Sequence, residues 1–303
     1  MEAYTDFAQV YDELMDDTPY EEWCEFLMEL FRKYGVDDIS KNNGCVINKN
    51  REKDAGCCEM AKMHTDDAGV AFGQIDTNLS QERNTVLDLG CGTGSLTELL
   101  ARKGYDMIGL DNAQEMLQIA MEKRERSGLP ILYLLQDMRE FELYGTVGAV
   151  VSVCDSLNYL LEEEDILQTF RQVNNYLYPQ GIFIFDFNTV YKYSTVIGDA
   201  TIAENREDCS FIWENYYHEE QEINEYDLTV FVAEGALFRR FQEVHYQRGY
   251  RLEQMRELLE RSGLDFVKAF DADTHGEATD KSGRIYMVAR KGAETAANQR
   301  VGS

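Results

Sequence analysis

Gly90-Cys91-Gly92-Thr93-Gly94 follows directly on the apolar run Thr85-Val86-Leu87-Asp88-Leu89. Glycines at that place let the chain turn sharply and let a ligand come close to the backbone. Alone, such a triplet is an ordinary tight turn. Its surroundings make it more. A helical pattern through Leu96, Leu99, Leu100 and Ala101 stops at Gly104, and a second apolar run, Met107 to Leu110, ends at Asp111. An acid at the end of the second strand can accept hydrogen bonds from both ribose hydroxyls of a nucleoside. Asp137 and Met138 follow the third apolar run. They offer a carboxylate for an exocyclic amine and an apolar side chain for an adenine face. Either acid alone also reads as a helix cap; two at successive strand ends favour a nucleoside.

Two cofactor classes use such a turn. A nicotinamide dinucleotide takes G-x-G-x-x-G and sets its pyrophosphate at the helix N-terminus. In this chain Ser95 stands at the third glycine place and Gly94 comes one residue early. Asp88, just before the loop, adds negative charge, which suits an aminoacyl sulfonium group better than a pyrophosphate. The residues favour S-adenosylmethionine (SAM). A NAD-dependent oxidoreductase and a non-catalytic SAM-binding interaction protein stand as alternatives.

The elements that position these residues alternate. Further strands are expected at 131–135, 147–153 and 182–187. A helix opens after Asp111 with Asn112-Ala113-Gln114-Glu115 as a capping box, and another carries Ile166, Leu167, Phe170, Val173 and Leu177. Strands apolar on both faces, separated by helices, imply an α/β fold with a Rossmann-like, mostly parallel sheet covered on both sides. Ahead of it, 1–36 reads as a helical cap in which Thr18-Pro19-Tyr20-Glu21 starts the main helix. Residues 37–84 read as a mobile polar insertion, and 85–187 as the SAM-binding core. Residues 188–250 read as antiparallel strands forming a substrate lid, 251–291 as completion of the core, and 292–303 as a disordered tail.

Asp88-Leu89-Gly90-Cys91-Gly92-Thr93-Gly94 resembles the first motif of class I SAM-dependent methyltransferases, and 85–187 follows that family in order and spacing. The wider chain resembles bacterial methyltransferases of poorly defined substrate, through Tyr4 to Asp12, Pro19 to Trp23, Cys154 to Leu160 and Phe238 to Arg248. It is similar in layout to amino-sugar and glycine N-methyltransferases. The resemblance implies a seven-stranded sheet with its last strand antiparallel. It implies that Gly90, Cys91, Gly92 and Gly94 pass under the methionine part of SAM, Asp111 holds the ribose, and Asp137 and Met138 frame the adenine. Cys154 and Asp155 then face the methyl group and its acceptor, and Tyr4 and Tyr11 close over the cofactor. It says nothing about 37–84.

Methyl transfer from a sulfonium is an in-line displacement, so alignment and exclusion of water are the main demands. A base is needed only where the acceptor must lose a proton. Asp155, Tyr11, Glu243 and His245 are the candidates; for His245 a structural role is the simpler reading. Asn158, Tyr216, Arg240, Glu243 and Arg248 are placed on the substrate side, although salt bridges explain the two arginines as well. Trp213, Tyr217 and Phe238 wall either the acceptor pocket or the sheet's own core.

Composition narrows the partners. With 303 residues, 44% of them hydrophobic, the chain can bury a large core. A net charge of -27 repels nucleic acid and anionic membranes; a neutral or cationic small-molecule acceptor is the better partner, although solubility alone also explains such a charge. The first residues lack a basic leader pattern, and no apolar run reaches the ~20 residues of a bilayer span. Irregularly spaced cysteines suit reduced thiols in a cytoplasm. The adjacent Cys57-Cys58, with Cys45 and His64, lacks the paired spacing of a zinc site, and no metal is expected.

Overall fold

The computed structural model describes residues 7–35 and 82–292. The expectations for Tyr4, for 37–81 with Cys45, Cys57, Cys58 and His64, and for the tail beyond Gly292 lie outside the described residues.

Seven strands form one sheet. In chain order they are β1 (Thr85–Leu89), β2 (Asp106–Asp111), β3 (Leu132–Leu135), β4 (Val147–Ser152), β5 (Leu177–Asn188), β10 (Leu264–Asp271) and β11 (Arg284–Lys291). Across the sheet the order is β10-β11-β5-β4-β1-β2-β3. Strands β1 to β5 pair in parallel, and β11 enters antiparallel between β5 and β10. Alternate residues serve opposite faces, as the strand period of two demands. Leu87 and Val150 pack under α5 (Glu163–Tyr176) and α6 (Leu252–Ser262), whereas Val86 and Ala149 pack under α2 (Tyr20–Tyr34), α3 (Ser95–Arg102) and α4 (Gln114–Ser127). The chain steps from β1 to β2 and β3 in one direction, then crosses to β4 and β5 in the other. The crevice beyond the carboxyl ends of β1 and β4 is therefore the switch point where such sheets bind ligands.

A second sheet, ordered β6-β7-β8-β9, is antiparallel throughout. Its strands are β6 (Thr201–Asn205), β7 (Cys209–His218), β8 (Ile223–Glu234) and β9 (Leu237–Arg248). The last three match the expected antiparallel run. The first, Thr-Ile-Ala-Glu-Asn, is exposed at every position and has no alternation to betray it. Between β5 and β6 lies a π-helical turn, Lys192–Ile197.

The short helix α1 (Ala8–Leu14) joins the two sheets. Ala8 and Tyr11 pack on Ala113, Met116 and Ile119 of the first unit, while Phe7, Val10 and Leu14 pack on Phe211, Trp213, Leu228, Val230 and Phe241 of the second. Trp213 is thus core, not pocket wall, and Phe238 is exposed.

Two expected caps do not form. Pro19 stands at the N-terminal boundary of α2, and the Thr18 hydroxyl turns back to Met15 Sδ at 3.8 Å, so no Thr18–Glu21 box forms. At α4 the N-cap is Ala113, one residue later than expected, so no Asn112 box forms; Asp111 Oδ1 accepts the Ala113 N–H at 2.8 Å and steadies the chain just before the helix.

Candidate active site

A cavity of about 630 Å³ opens at the switch point. Its floor is the glycine loop. Gly90, Gly92 and Gly94 have φ of 79°, 55° and 75°, the left-handed region where a Cβ is costly. Their roles then separate. A Cβ on Gly92 would meet only Met116 Cε, at 3.7 Å, so its bare side is turned to open space. A Cβ on Gly90 would lie 2.7 Å from Ser156 Cβ and Oγ. At Gly94 it would run into the Tyr133 hydroxyl and approach Ala120 Cβ to 3.1 Å. Gly94 does not line the cavity. Its bare side lets α3 pack closely on β3 and α4, whereas the sequence reading places Gly94 beneath the cofactor.

Three acids bear on this end. Asp111 Oδ2 accepts the Gly92 N–H at 2.8 Å, so the acid that faces the cavity also fixes the loop. An ionised carboxylate offers about four lone-pair sites, and these two backbone bonds leave capacity for ribose hydroxyls. Asp88 is buried, and its Oδ2 accepts the Thr97 hydroxyl at 2.6 Å. Burial pushes its carboxyl up to about 7, with the Thr97 bond pulling down and the charge of Asp111 pushing further up. Asp137 is held by Arg139 at 2.7 Å, which together with the Arg139 backbone bond keeps its carboxyl below the usual range. Arg139 also reaches Asp165 at 3.2 Å. Met138 lies beside them in the wall.

The opposite end is built from side chains. Tyr11, Tyr20, Cys154 and Tyr159 line it. Tyr11 Oη stands 3.9 Å from Cys154 Sγ. Burial, with the nearby charge of Asp155, raises the Cys154 thiol to about 12, so it stays protonated and is no thiolate nucleophile. Cys154 and Asp155 have φ of 66° and 53°, unusual for residues with side chains. Asp186 holds this turn: its two carboxylate oxygens accept the N–H groups of Cys154 at 3.0 Å and Asp155 at 2.8 Å. Arg284 pairs with Asp186 from behind. Burial raises the Asp186 carboxyl, and Arg284 and the two N–H groups oppose that rise. Neither Asp186 nor Arg284 is visible as a site residue in the sequence, because 98 positions separate them and each sits in an ordinary strand.

Several expected substrate residues have other tasks. Asn158 is fully buried; its amide donates to the carbonyls of Asn188 and Arg248, and its Oδ1 accepts the Asn188 N–H. It ties β5 to β9. Asp155 does not line the cavity, and its Oδ2 accepts from Gln247 Nε2 at 2.6 Å. Arg248 donates to the Leu161 carbonyl at 2.9 Å. Glu243 accepts the Phe7 N–H at 3.0 Å, where the chain enters α1. Tyr216 and Arg240 lie on the exposed face of the second sheet. His245 is buried beside Tyr159, one layer behind the cavity wall.

Helix α1 is latched to the loop. Asp12 Oδ1 accepts the Thr93 hydroxyl at 2.6 Å, and Lys123 Nζ reaches Asp12 Oδ2 at 2.5 Å and Ser95 Oγ at 2.9 Å. This sets Tyr11 over the floor.

The doubly wound sheet, the loop at its switch point and the acid at the end of β2 define a nucleoside-cofactor enzyme of the class I methyltransferase type. A family model described as a methyltransferase domain matches residues 86–181. The candidate methyltransferase YqeM of Bacillus subtilis is 32% identical over 289 residues, covering 95% of this chain and 97% of its own length. The crystal structure of an S-adenosylmethionine-dependent methyltransferase from Clostridium acetobutylicum matches at a TM-score of 0.73 and 26% identity, covering 96% of this chain and all of that one. The dTDP-3-amino-3,4,6-trideoxy-alpha-D-glucopyranose N,N-dimethyltransferase of Streptomyces venezuelae is 33% identical over 106 residues, 35% of this chain and 43% of its own. This chain belongs to the class I SAM-dependent methyltransferases. SAM is its cosubstrate, which sets aside the nicotinamide and non-catalytic readings.

Proposed function

We propose that this chain moves a methyl group from SAM to a nitrogen or oxygen of a small molecule, by in-line displacement and in the cytoplasm. One observation carries the reading: the nucleoside cradle and an aromatic chamber under α1 are two ends of one cavity. When bound, SAM supplies a methyl already activated on a sulfonium. Gly90, Cys91 and Gly92 pass under its methionine part, Asp111 binds the ribose, and Asp137 with Met138 frames the adenine. Cys154 and Tyr11 surround the methyl; Asp155 and Asp186 fix the turn that presents Cys154, and the Asp12 latch sets Tyr11. Alignment of this kind contributes up to about 7–11 kcal/mol to lowering a barrier.

The acceptor class rests on chemistry and likeness. A relative over part of the chain is named as an amino-sugar N,N-dimethyltransferase. The chain's charge of -27 suits a neutral or cationic acceptor and argues against nucleic acid. Among the described residues no helix is long and apolar enough to cross a membrane, and Cys24, Cys91, Cys154 and Cys209 are free thiols. The test is calorimetric titration with SAM and its demethylated product, then labelled-methyl transfer to panels of small amines and phenols. Binding of neither nucleoside would overturn the site; labelled carbon acceptors alone would overturn the N- or O-transfer.

A further inference from the structure

We infer that Tyr159, His245 and Glu243 form a proton relay that takes the acceptor's proton out of the cavity. The inference rests on the methyltransferase reading of that cavity. Tyr159 lines it, on the 3-10 turn Ser156–Tyr159 that follows β4. Its hydroxyl lies 3.1 Å from His245 Nδ1 and 2.7 Å from the Tyr226 hydroxyl. His245 is 2% exposed and stacks on Tyr226, with centroids 5.0 Å apart and planes at 6°. Its Nε2 lies 3.4 Å from Glu243 Oε2. Residues 243 and 245 share one face of β9, as the strand period requires. The other oxygen of Glu243 is fixed by the Phe7 N–H, so the carboxylate is oriented before it meets the ring.

A Glu243 carboxyl oxygen 3.4 Å from Nε2, at ion-pair distance but outside hydrogen-bond geometry, favours the proton on that nitrogen, so in the relay His245 carries Nε2–H and keeps a lone pair on Nδ1. Tyr159 then donates to Nδ1, and Tyr226 donates to the oxygen of Tyr159. A carboxylate orienting an imidazole, which in turn draws a proton from a hydroxyl, is the arrangement of acyl-transfer triads. The proton balance closes. The acceptor's X–H bond breaks toward the Tyr159 oxygen, and its electron pair stays on X, which takes the methyl. The Tyr159 O–H bond breaks toward Nδ1. Tyr159 ends neutral, and His245 ends as an imidazolium against Glu243. The charge lost when the sulfonium becomes a thioether thus reappears on a buried, paired ring. The acceptor class that needs this device is one that must lose a proton, an alcohol, phenol or amine. Tyr159 is the group that touches substrate; His245 receives the proton through it, and Glu243 is a positioning residue.

Among the described residues, Tyr226 from β8, Glu243 from β9, Tyr159 from the turn after β4, and Phe7 where the chain enters α1 face His245, and of these four Glu243 is the acid. Nitrogen NMR on histidine-labelled whole protein reads the tautomer directly, with His245→Gln identifying the signals. We expect neutral His245 as the Nε2–H form, with an Nδ1 resonance that moves in Tyr159→Phe while the other histidines stay in place. An Nδ1–H tautomer, or a ring that stays protonated from pH 5 to 9, overturns the relay, because Nδ1 then has no lone pair to offer. Labelled-methyl transfer from SAM into a deproteinised metabolite extract adds a second readout. Tyr159→Phe and His245→Gln should each cut labelled product about 10²-fold with SAM affinity within twofold of the parent. Undiminished product in both variants also overturns the relay. Failure of the parent protein to bind SAM strikes the site reading instead, and the tautomer then decides the relay alone.

Discussion

Gly92 and Asp111 at one end of the cavity, and Cys154 and Tyr159 at the other, face the same space and are held in different ways. The cofactor end is local. Asp111 reaches the Gly92 N–H across adjacent strands, and Asp88 reaches Thr97 nine residues on. The acceptor end is assembled from far apart. Asp186 and Arg284 hold the Cys154–Asp155 turn from two strands, and β9 supplies Gln247 and His245 from the second sheet. A cradle of backbone and short-range carboxylates recognises what every member of the class binds. A chamber of side chains from distant elements can be rebuilt for another acceptor with the cradle left intact. Substitutions at the two ends should therefore separate, and the following outcomes test how cleanly.

The largest effect is expected at Arg284. Arg284→Met strands the fully buried Asp186 carboxylate, and losing one partner of a buried pair costs about 3–5 kcal/mol. Denaturant unfolding should show it, and the double variant Asp186→Asn with Arg284→Met should regain a large part. Equal losses in the single and double variants would mean that the pair does not hold the turn. Gly94→Ala comes next, at about 2–4 kcal/mol of stability, from left-handed strain plus contact with Tyr133 and Ala120. Gly92→Ala should cost only the strain, about 1–2 kcal/mol, and instead weaken SAM binding. A reversed pattern would return Gly94 to the cofactor.

Asp111→Ala removes one acceptor that holds Gly92 of the loop and Ala113 ahead of α4, and that is proposed to take the ribose. SAM affinity should fall about 100-fold, with hydrogen bonds to charge contributing about 1.5–3 kcal/mol each. Unchanged calorimetric affinity would remove the ribose assignment.

Asp88 makes the cradle sensitive to pH. Burial lifts its folded carboxyl to about 7, above the ordinary 3.8 of an aspartate. Between those values the folded state holds a proton that the unfolded chain has lost. Stability of the free protein therefore falls as pH rises through that window, and Asp88→Asn should flatten the slope. A cationic ligand beside Asp88 favours the ionised form. SAM should bind more tightly from pH 5 to 8 and release a proton, read as a buffer-dependent binding enthalpy. A pH-independent affinity would place the sulfonium and ammonium away from Asp88.

The same contrast explains what the sequence discloses. Strands apolar on both faces, the loop after β1 and the acid after β2 are local patterns, and each falls where the pattern puts it. Local patterns mislead where the fold sets another boundary or partner: α4 begins after Ala113, so the Asn112 box does not form, and Tyr133 packs against Gly94. The acceptor end has no local pattern. Tyr159 and His245 are 86 residues apart, and no period or spacing announces their meeting. Asn158 lies in a family-like segment beside the cavity, yet its amide is consumed in joining β5 to β9.

The smallest effect is expected at Arg240, and it is the most exacting for the proposed boundary of the chamber. Along β9, Glu243, His245 and Gln247 are buried, and Arg240, Gln242 and Tyr246 alternate with them toward solvent. Arg240 Nη2 reaches Gln242 Oε1 at 3.1 Å and Thr229 Oγ1 at 3.4 Å, both neutral groups on the same outer face. Such contacts hold an exposed side chain only weakly. Arg240→Ala should change stability by less than about 0.5 kcal/mol and leave SAM affinity and methyl transfer unaltered. A loss of transfer with SAM binding intact would show that the outer face of the second sheet also meets the acceptor. The chamber would then extend past β9, and the alternation that turns His245 inward would no longer mark its limit.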